Sequence, residues 1–199
     1  MMKRLLLWLL VLGLGLGSAT MARGGSVDNL TLTLSNSGWT SGLPGTTQGW
    51  GFTLTNTLNY VVITESEFDP TQNGGDGTYA DFIGPNFVVV GPTNGFGDGP
   101  TVSQNFDSLN MMGVGSFAIS PSATIGDFVL GNIVLTFDVY SVSPNDPSFD
   151  PTVDTLAKSL QLSAGGQVDV TPEPGSLLLL LTATGLGLVL LPRPGPAGA

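Results

Sequence analysis

Two acidic loops hold the side chains whose types and spacing could do chemistry. The first runs Asp69-Pro70-Thr71-Gln72-Asn73-Gly74-Gly75-Asp76-Gly77. Asp69, Asn73 and Asp76 offer oxygen ligands on a glycine-rich segment, which suits a hard cation such as Ca²⁺. Asp69, Thr71, Asn73 and Gly74 fall at positions 1, 3, 5 and 6 of an EF-hand-like loop, but Ala80 stands at position 12, where a bidentate Glu is required. The EF-hand reading fails there, and a looser calcium site stays open beside plain Asx-turn chemistry, in which Asp and Asn bond their own backbone. The second loop carries Asn145 and then Asp146, Asp150 and Asp154 at steps of four, with Pro147 and Pro151 barring a continuous helix. Three neighbouring carboxylates repel unless a cation sits between them. The alternative is a loop that displays solubilising charge.

Catalysis finds less support. Glu65 and Glu67 lie at i and i+2, so on a strand they share one face. A carboxylate pair is the tool of glycoside hydrolysis, but flanking a sugar takes acids from separate elements. The chain has no cysteine and no histidine. That removes the ordinary zinc and copper sites, Ser-His and Cys-His pairs, and the histidine proton shuttle. No catalytic residue is assigned and no enzyme is expected. Trp39, Trp50, Tyr60 and Tyr79 offer a sugar-stacking row. Trp50 is expected to point inward with Phe52 and Leu54, and Trp39, between Gly38 and Thr40, to be exposed.

The elements that must position these groups read as strands. Leu30, Leu32 and Leu34 alternate with polar residues, as do Trp50, Phe52 and Leu54. Tyr60–Thr64 is a β-branched run and Phe87–Val90 a short apolar one. Ser116–Ser120 alternates through Phe117 and Ile119. In Gly131–Val142, Ile133, Leu135, Phe137 and Val139 take one face. Leu160, Leu162, Val168 and Val170 close the set, with Ala164-Gly165-Gly166-Gln167 read as a hairpin turn. Helical turns are expected only at Phe106–Met112 and Val153–Lys158, and long loops at Glu67–Thr78 and Gly91–Thr101. Many short strands separated by turn signals predict an all-β fold, a single β-sandwich of jelly-roll or immunoglobulin type spanning residues 23–170.

Both ends differ from this body. Lys3-Arg4, the apolar Leu5–Leu16 and the small residues Gly17, Ser18, Ala19 and Ala22 read as a signal peptide over residues 1–22, cut by signal peptidase after Ala19 or Ala22. Near the other end, Pro172-Glu173-Pro174 is extended, because both prolines fix φ and remove a donor. Ser176 is a candidate N-cap for the uncharged run Leu177–Leu191, expected as an apolar helix about 22 Å long at ~1.5 Å per residue. That is short for a membrane core of ~30 Å, a mismatch met by local thinning or by a snorkelling Arg193.

Pro172-Glu173-Pro174, an apolar run and a basic Arg193, in that order, resemble the PEP-CTERM sorting signal of Gram-negative bacteria over residues 171–199. The family usually carries several arginines where Arg193 stands alone. The resemblance implies export across the inner membrane, at least transient anchoring through the C-terminal helix, and cutting near Pro-Glu-Pro by an exosortase, a membrane enzyme. The cell envelope or the extracellular space is then the destination, with extracellular polysaccharide a partner. Gly49-Trp50-Gly51-Phe52, Gly115-Ser116-Phe117-Ala118-Ile119 and Tyr140–Pro147 are similar to ectodomains of other uncharacterised proteins with that signal, and the similarity brings no activity with it.

Residues 23–170 carry fourteen carboxylates against Arg23 and Lys158, a formal charge of −12. Nucleic acid and anionic surfaces are repelled by such a body. The sequence thus predicts an exported non-enzymatic envelope or matrix protein, or else a carbohydrate- or calcium-binding module, with a carbohydrate-active enzyme the least supported.

Overall fold

A computed structural model describes residues 25–27, 29–95 and 97–172. The sequence-predicted signal peptide, Glu173, Pro174, Arg193 and the apolar run 177–191 lie outside the described residues. No helix among the described residues is long and apolar enough to cross a membrane.

The described chain is all-β, with sheets stacked in a sandwich-like arrangement. Twelve strands run in chain order: β1 (Gly25–Val27), β2 (Leu30–Leu34), β3 (Trp39–Gly42), β4 (Thr47–Trp50), β5 (Phe52–Asn56), β6 (Tyr60–Gln72), β7 (Gly77–Asp81), β8 (Val88–Val90), β9 (Thr101–Gln104), β10 (Gly115–Ile119), β11 (Phe128–Tyr140) and β12 (Thr155–Val170). One layer is the five-stranded sheet β3-β12-β11-β6-β8, in which only β3 pairs in parallel. The other layer holds the sheets β1-β2-β5-β9 and β4-β10-β7. All three sheets contribute to one apolar core.

The alternating runs form strands because one face can be buried and the other wetted. Leu30, Leu32 and Leu34 are buried with Thr31 and Thr33 outside, and Ile133, Leu135 and Phe137 of β11 are buried likewise. Trp50, Phe52 and Leu54 all point inward, as expected, but not from one strand. At Gly51 the chain passes from the three-stranded sheet to the four-stranded one. A Cβ on Gly51 would lie 2.6 Å from the Gln104 carbonyl oxygen, so the two sheets meet there at a distance only glycine allows.

The structure corrects four expectations. Ala164–Gln167 is no hairpin turn: β12 runs unbroken through it. Gly166 pairs with Gly131 of β11, and the Phe68 and Trp50 rings pack over the pair. The glycines there admit aromatic rings instead of reversing the chain. Glu67–Thr78 is not one long loop, because β6 continues through Gln72. Pro70 is tolerated since β8 covers β6 only over Val61–Ile63, and a register irregularity falls beside Pro70. Phe106–Met112 is a turn closed by the Asp107–Met112 bridge, not helix, and β12 begins at Thr155 inside the second expected helical turn. Strands β1, β3, β7 and β9 went unread because they are short and their alternation is weak.

Gly51→Ala is expected to lower unfolding stability by about 1–3 kcal/mol through overpacking against backbone. Gly75→Ala, where a Cβ meets nothing within 4 Å, should stay within about 0.5 kcal/mol. Urea unfolding of the two variants checks the contrast.

Candidate functional site

The outer face of the five-stranded sheet is broad and faces solvent. Glu65, Glu67 and Asp69 of β6 project from it in a row. Beside them on β11 stand Thr136, Val134 and Asn132, and beyond those on β12 Gln161, Ser163 and Gly165. Glu65 and Glu67 do share a face, as their spacing predicted, but both lie exposed on the surface of one strand. The arrangement gives them no opposing carboxylate across a cleft, which two-carboxylate hydrolysis requires.

At the β3 edge of this face lies an open cleft of about 360 Å³ lined by Asn36, Trp39, Thr40, Ser41 and Asp169. Trp39 is 44% exposed, as expected from sequence. It pairs with Gln167, and Ser41 pairs with Asp169, so all four side chains belong to two adjacent strands. Gln167 Nε2 donates to Asp169 Oδ1 at 2.7 Å, which fixes the amide and turns the pair into one polar unit.

The chain enters Trp39 through an unusual turn. Asn36 (φ 49°), Ser37 (φ 56°) and Gly38 (φ 82°) are all left-handed. For residues other than glycine this conformation costs roughly 1–2 kcal/mol each, somewhat less for Asn. The core holds the turn in place. The buried Trp50 donates its indole N–H to the Gly38 carbonyl at 2.7 Å, the Ser35 N–H donates to the Gly51 carbonyl at 2.9 Å, and the Gly51 N–H donates to Ser35 Oγ at 3.0 Å. The Trp39 N–H donates to the Asn36 carbonyl. Trp50 therefore positions Trp39, a link no sequence signal reports.

The remaining aromatic candidates divide. Tyr60 opens β6, while Tyr79 is turned into the core against Trp50 and Phe68, which takes it out of any surface row. Its hydroxyl lies 2.9 Å from Ser66 Oγ and 3.0 Å from the Val114 carbonyl oxygen. Ser66 is buried and also contacts Asp81 Oδ1 and the Val114 carbonyl oxygen. Asp81 in turn accepts from the Ile83 N–H at 2.7 Å and the Gly84 N–H at 3.0 Å. This network pins β6 of one layer to β7 and the start of β10 of the other. Burial is the main cause that pushes the Tyr79 phenol well above its usual range, with the Asp81 charge adding to it and the Ser66 hydrogen bond opposing it.

The three carboxylates of the second acidic loop accept local hydrogen bonds. Asp146 Oδ1 accepts from the Ser148 N–H and hydroxyl, and these bonds hold its carboxyl below the usual carboxylate range. Asp150 Oδ1 does the same with Thr152, with the same direction of shift. Asp154 accepts from the Asp150 N–H at 2.8 Å and the Ser141 hydroxyl at 3.0 Å. Asn145 instead donates to Asp98 Oδ1, and the buried Ser143 hydroxyl contacts Asp98 Oδ2. In the first loop Asn73 Nδ2 donates to the Phe128 carbonyl at 2.8 Å, Asp69 stands on β6, and Asp76 ends a short turn. Among the described residues no group of three or more acidic, His or Cys side chains could hold a metal ion. Pro172, the first residue of the Pro-Glu-Pro run, is half-buried just after Thr171, whose N–H donates to the Gly42 carbonyl at 2.9 Å.

A second cleft, about 510 Å³, opens between the layers at the end away from Thr171, beside Leu30, Leu58, Val61, Phe137 and Val139. Asn56, buried there, donates to the carbonyls of Asn59, Val90 and Gly91 and ties the rim together.

No protein-family model matches the chain, and no curated protein does. Among solved structures it is similar to the sixth cohesin of scaffoldin B from Acetivibrio cellulolyticus, crystallised in complex with a dockerin. That likeness has 15% identity, spans 72% of this chain and 99% of the cohesin, and has a TM-score of 0.28, too low to carry an argument.

Three outcomes are expected. Ser66→Ala should cost about 1–3 kcal/mol in urea unfolding, since it strips partners from the Tyr79 hydroxyl and from Asp81. A phenol whose folded-state pKa is raised adds stability that is complete below the unfolded value of 10.0 and is lost as pH rises past it. Tyr79 should therefore ionise only as the fold opens, read as a tyrosinate absorbance step that coincides with loss of near-ultraviolet circular dichroism. The melting temperature should be the same in millimolar CaCl₂ and in EDTA, because Asp146, Asp150 and Asp154 already accept from hydroxyl and backbone donors of the chain; a rise with Ca²⁺ would show a site those bonds conceal.

Proposed function

We propose that this protein is an exported, non-enzymatic binding module of the cell envelope or extracellular matrix, addressed there through its C-terminal signal. The observation that supports the reading best is the solvent-facing sheet. It offers a wide, shallow surface of hydroxyl, amide and carboxylate groups with one exposed indole at its edge. Such a face suits contact with an extended partner better than turnover of a small molecule, which calls for a concave, largely apolar pocket. The acidic body fits a soluble external domain and disfavours nucleic acid and anionic lipid. A cysteine-free core fits a fold that does not depend on the redox state of its compartment.

Within the sandwich class the reading is of jelly-roll type. Successive strands cross between layers at β2–β3, β3–β4, β5–β6, β6–β7, β7–β8, β8–β9 and β10–β11, whereas same-sheet hairpins occur at β1–β2 and β11–β12. An immunoglobulin-type sandwich keeps more of its neighbours in one sheet.

Export by signal peptidase cleavage and sorting by an exosortase predict a defined mass. Protein recovered from its native host should begin after Ala19 or Ala22 and end near Pro174, in the medium or surface fraction. A mass extending through Ala199 in the membrane fraction would make 177–191 a lasting anchor. Recovery of the intact Met1–Ala199 chain from the cytosol would overturn the proposal.

A further inference from the structure

We propose that the Trp39 cleft is a saccharide subsite that takes neutral hexopyranose units of a polysaccharide chain. The inference rests on the reading of the protein as an external binding module and names what that module binds.

Four observations converge on it. Trp39 stands on the edge strand of the sheet and is 44% exposed. The C–H face of a pyranose is the ordinary complement of such a ring. Next to it Asp169 supplies a carboxylate and Gln167 an amide, already hydrogen-bonded to each other at 2.7 Å. One sugar hydroxyl can donate to the carboxylate while another pairs with the amide oxygen, and neither side chain must be ordered on binding. Asn36 and Ser41 complete a rim with further donors and acceptors. Finally, the left-handed Asn36-Ser37-Gly38 turn is held by Trp50 from inside the core, so the backbone that carries Trp39 is set before the ligand arrives. Strained backbone at a rigidly supported exposed aromatic is what a preorganised site requires.

The charge of the site narrows the ligand. Asp169 and the acidic body repel uronic-acid and sulfated chains. A cationic ligand would be drawn to the same carboxylate, but recognition of an alkylammonium uses several aromatic walls, and this cleft has the single indole.

Native affinity gels on the full chain, held in a polyoxyethylene detergent to avoid sugar headgroups, test this. The gels contain hydroxyethylcellulose, xylan, galactomannan or yeast mannan, with alginate and chitosan as the anionic and cationic arms. Retardation by at least one neutral polysaccharide is expected. Trp39→Ala and Asp169→Asn should each weaken it about tenfold or more. Leu109→Ala, at an exposed position in the turn between β9 and β10 of the other layer, should leave it unchanged, and Trp39→Phe, which keeps a ring, should retain part of it. Unchanged melting temperatures show that the variants fold, and if Trp39→Ala is destabilised then Asp169→Asn and Trp39→Phe decide. No retardation by any neutral polysaccharide overturns the proposal, as does retardation indifferent to Trp39 or confined to chitosan. Recovery of the protein from the cytosol would sink the export reading and leave the gel result standing, so the two failures are distinguishable.

Discussion

The burial of Trp50 is the constraint on which the rest of the structure depends. Its ring stacks on Phe68 at 5.5 Å and lies over Gly166, while Tyr79 is 6.5 Å away at a tilt. A fully buried indole brings a large apolar area and an N–H that must find an acceptor. The acceptor is the Gly38 carbonyl. That bond joins the layer containing β4 to the turn that launches β3 in the opposite layer, so one side chain sets the packing distance, the crossover and the orientation of the sheet edge. The glycines at 131 and 166 follow from the same ring cluster, since a Cβ on either would press on the Phe68 ring.

A polar pin complements this apolar one. Ser66, Tyr79, Asp81 and the Val114 carbonyl sit where a sandwich core would ordinarily be apolar. A satisfied network contributes little net stability relative to an apolar core, but it becomes costly if any member is lost. Its effect is specificity: β6 cannot slide against β7 without stranding a donor or an acceptor. Among the described residues every buried side-chain polar atom has a partner. Asp146, Asp150 and Asp154 follow the same rule at the surface, each accepting from a nearby backbone N–H, so their charge also shapes the turns of that loop.

The functional reading grows from how these pins divide the molecule. The layer holding β4 and β10 is committed to packing: Phe106 lies over Gly49 and stacks against Phe82. The five-stranded layer is left with an open outer face, and the turn that Trp50 holds places Trp39 at its edge. Just past the end of β12, Thr171 donates its N–H to the carbonyl of Gly42, which lies on the same strand as Trp39. A module sorted through the segment beyond Pro172 would thus present this edge near the point of its attachment.

By itself the sequence determined the strand class and the core. Alternation at Leu30–Leu34, Phe117–Ile119 and Ile133–Phe137 records which face is buried, because a two-residue period is a local property of an extended chain. It also determined that Trp39 would be exposed and Trp50 buried, from glycine and threonine on one side and an apolar alternation on the other. Only the tertiary structure decided what the glycines and acids do. Gly165-Gly166 looks like a turn until the aromatic rings across the core are known, and Glu67–Gln72 looks like a loop until β11 offers it backbone partners. The hydrogen bonds that Asp146, Asp150 and Asp154 accept within their loop likewise appear only in the tertiary structure. The pairing of Trp39 with Gln167 and of Ser41 with Asp169 joins residues 128 positions apart in the chain. Spacing along a sequence cannot encode that, since it arises from a parallel pairing of two strands whose register is fixed by the layer beneath them.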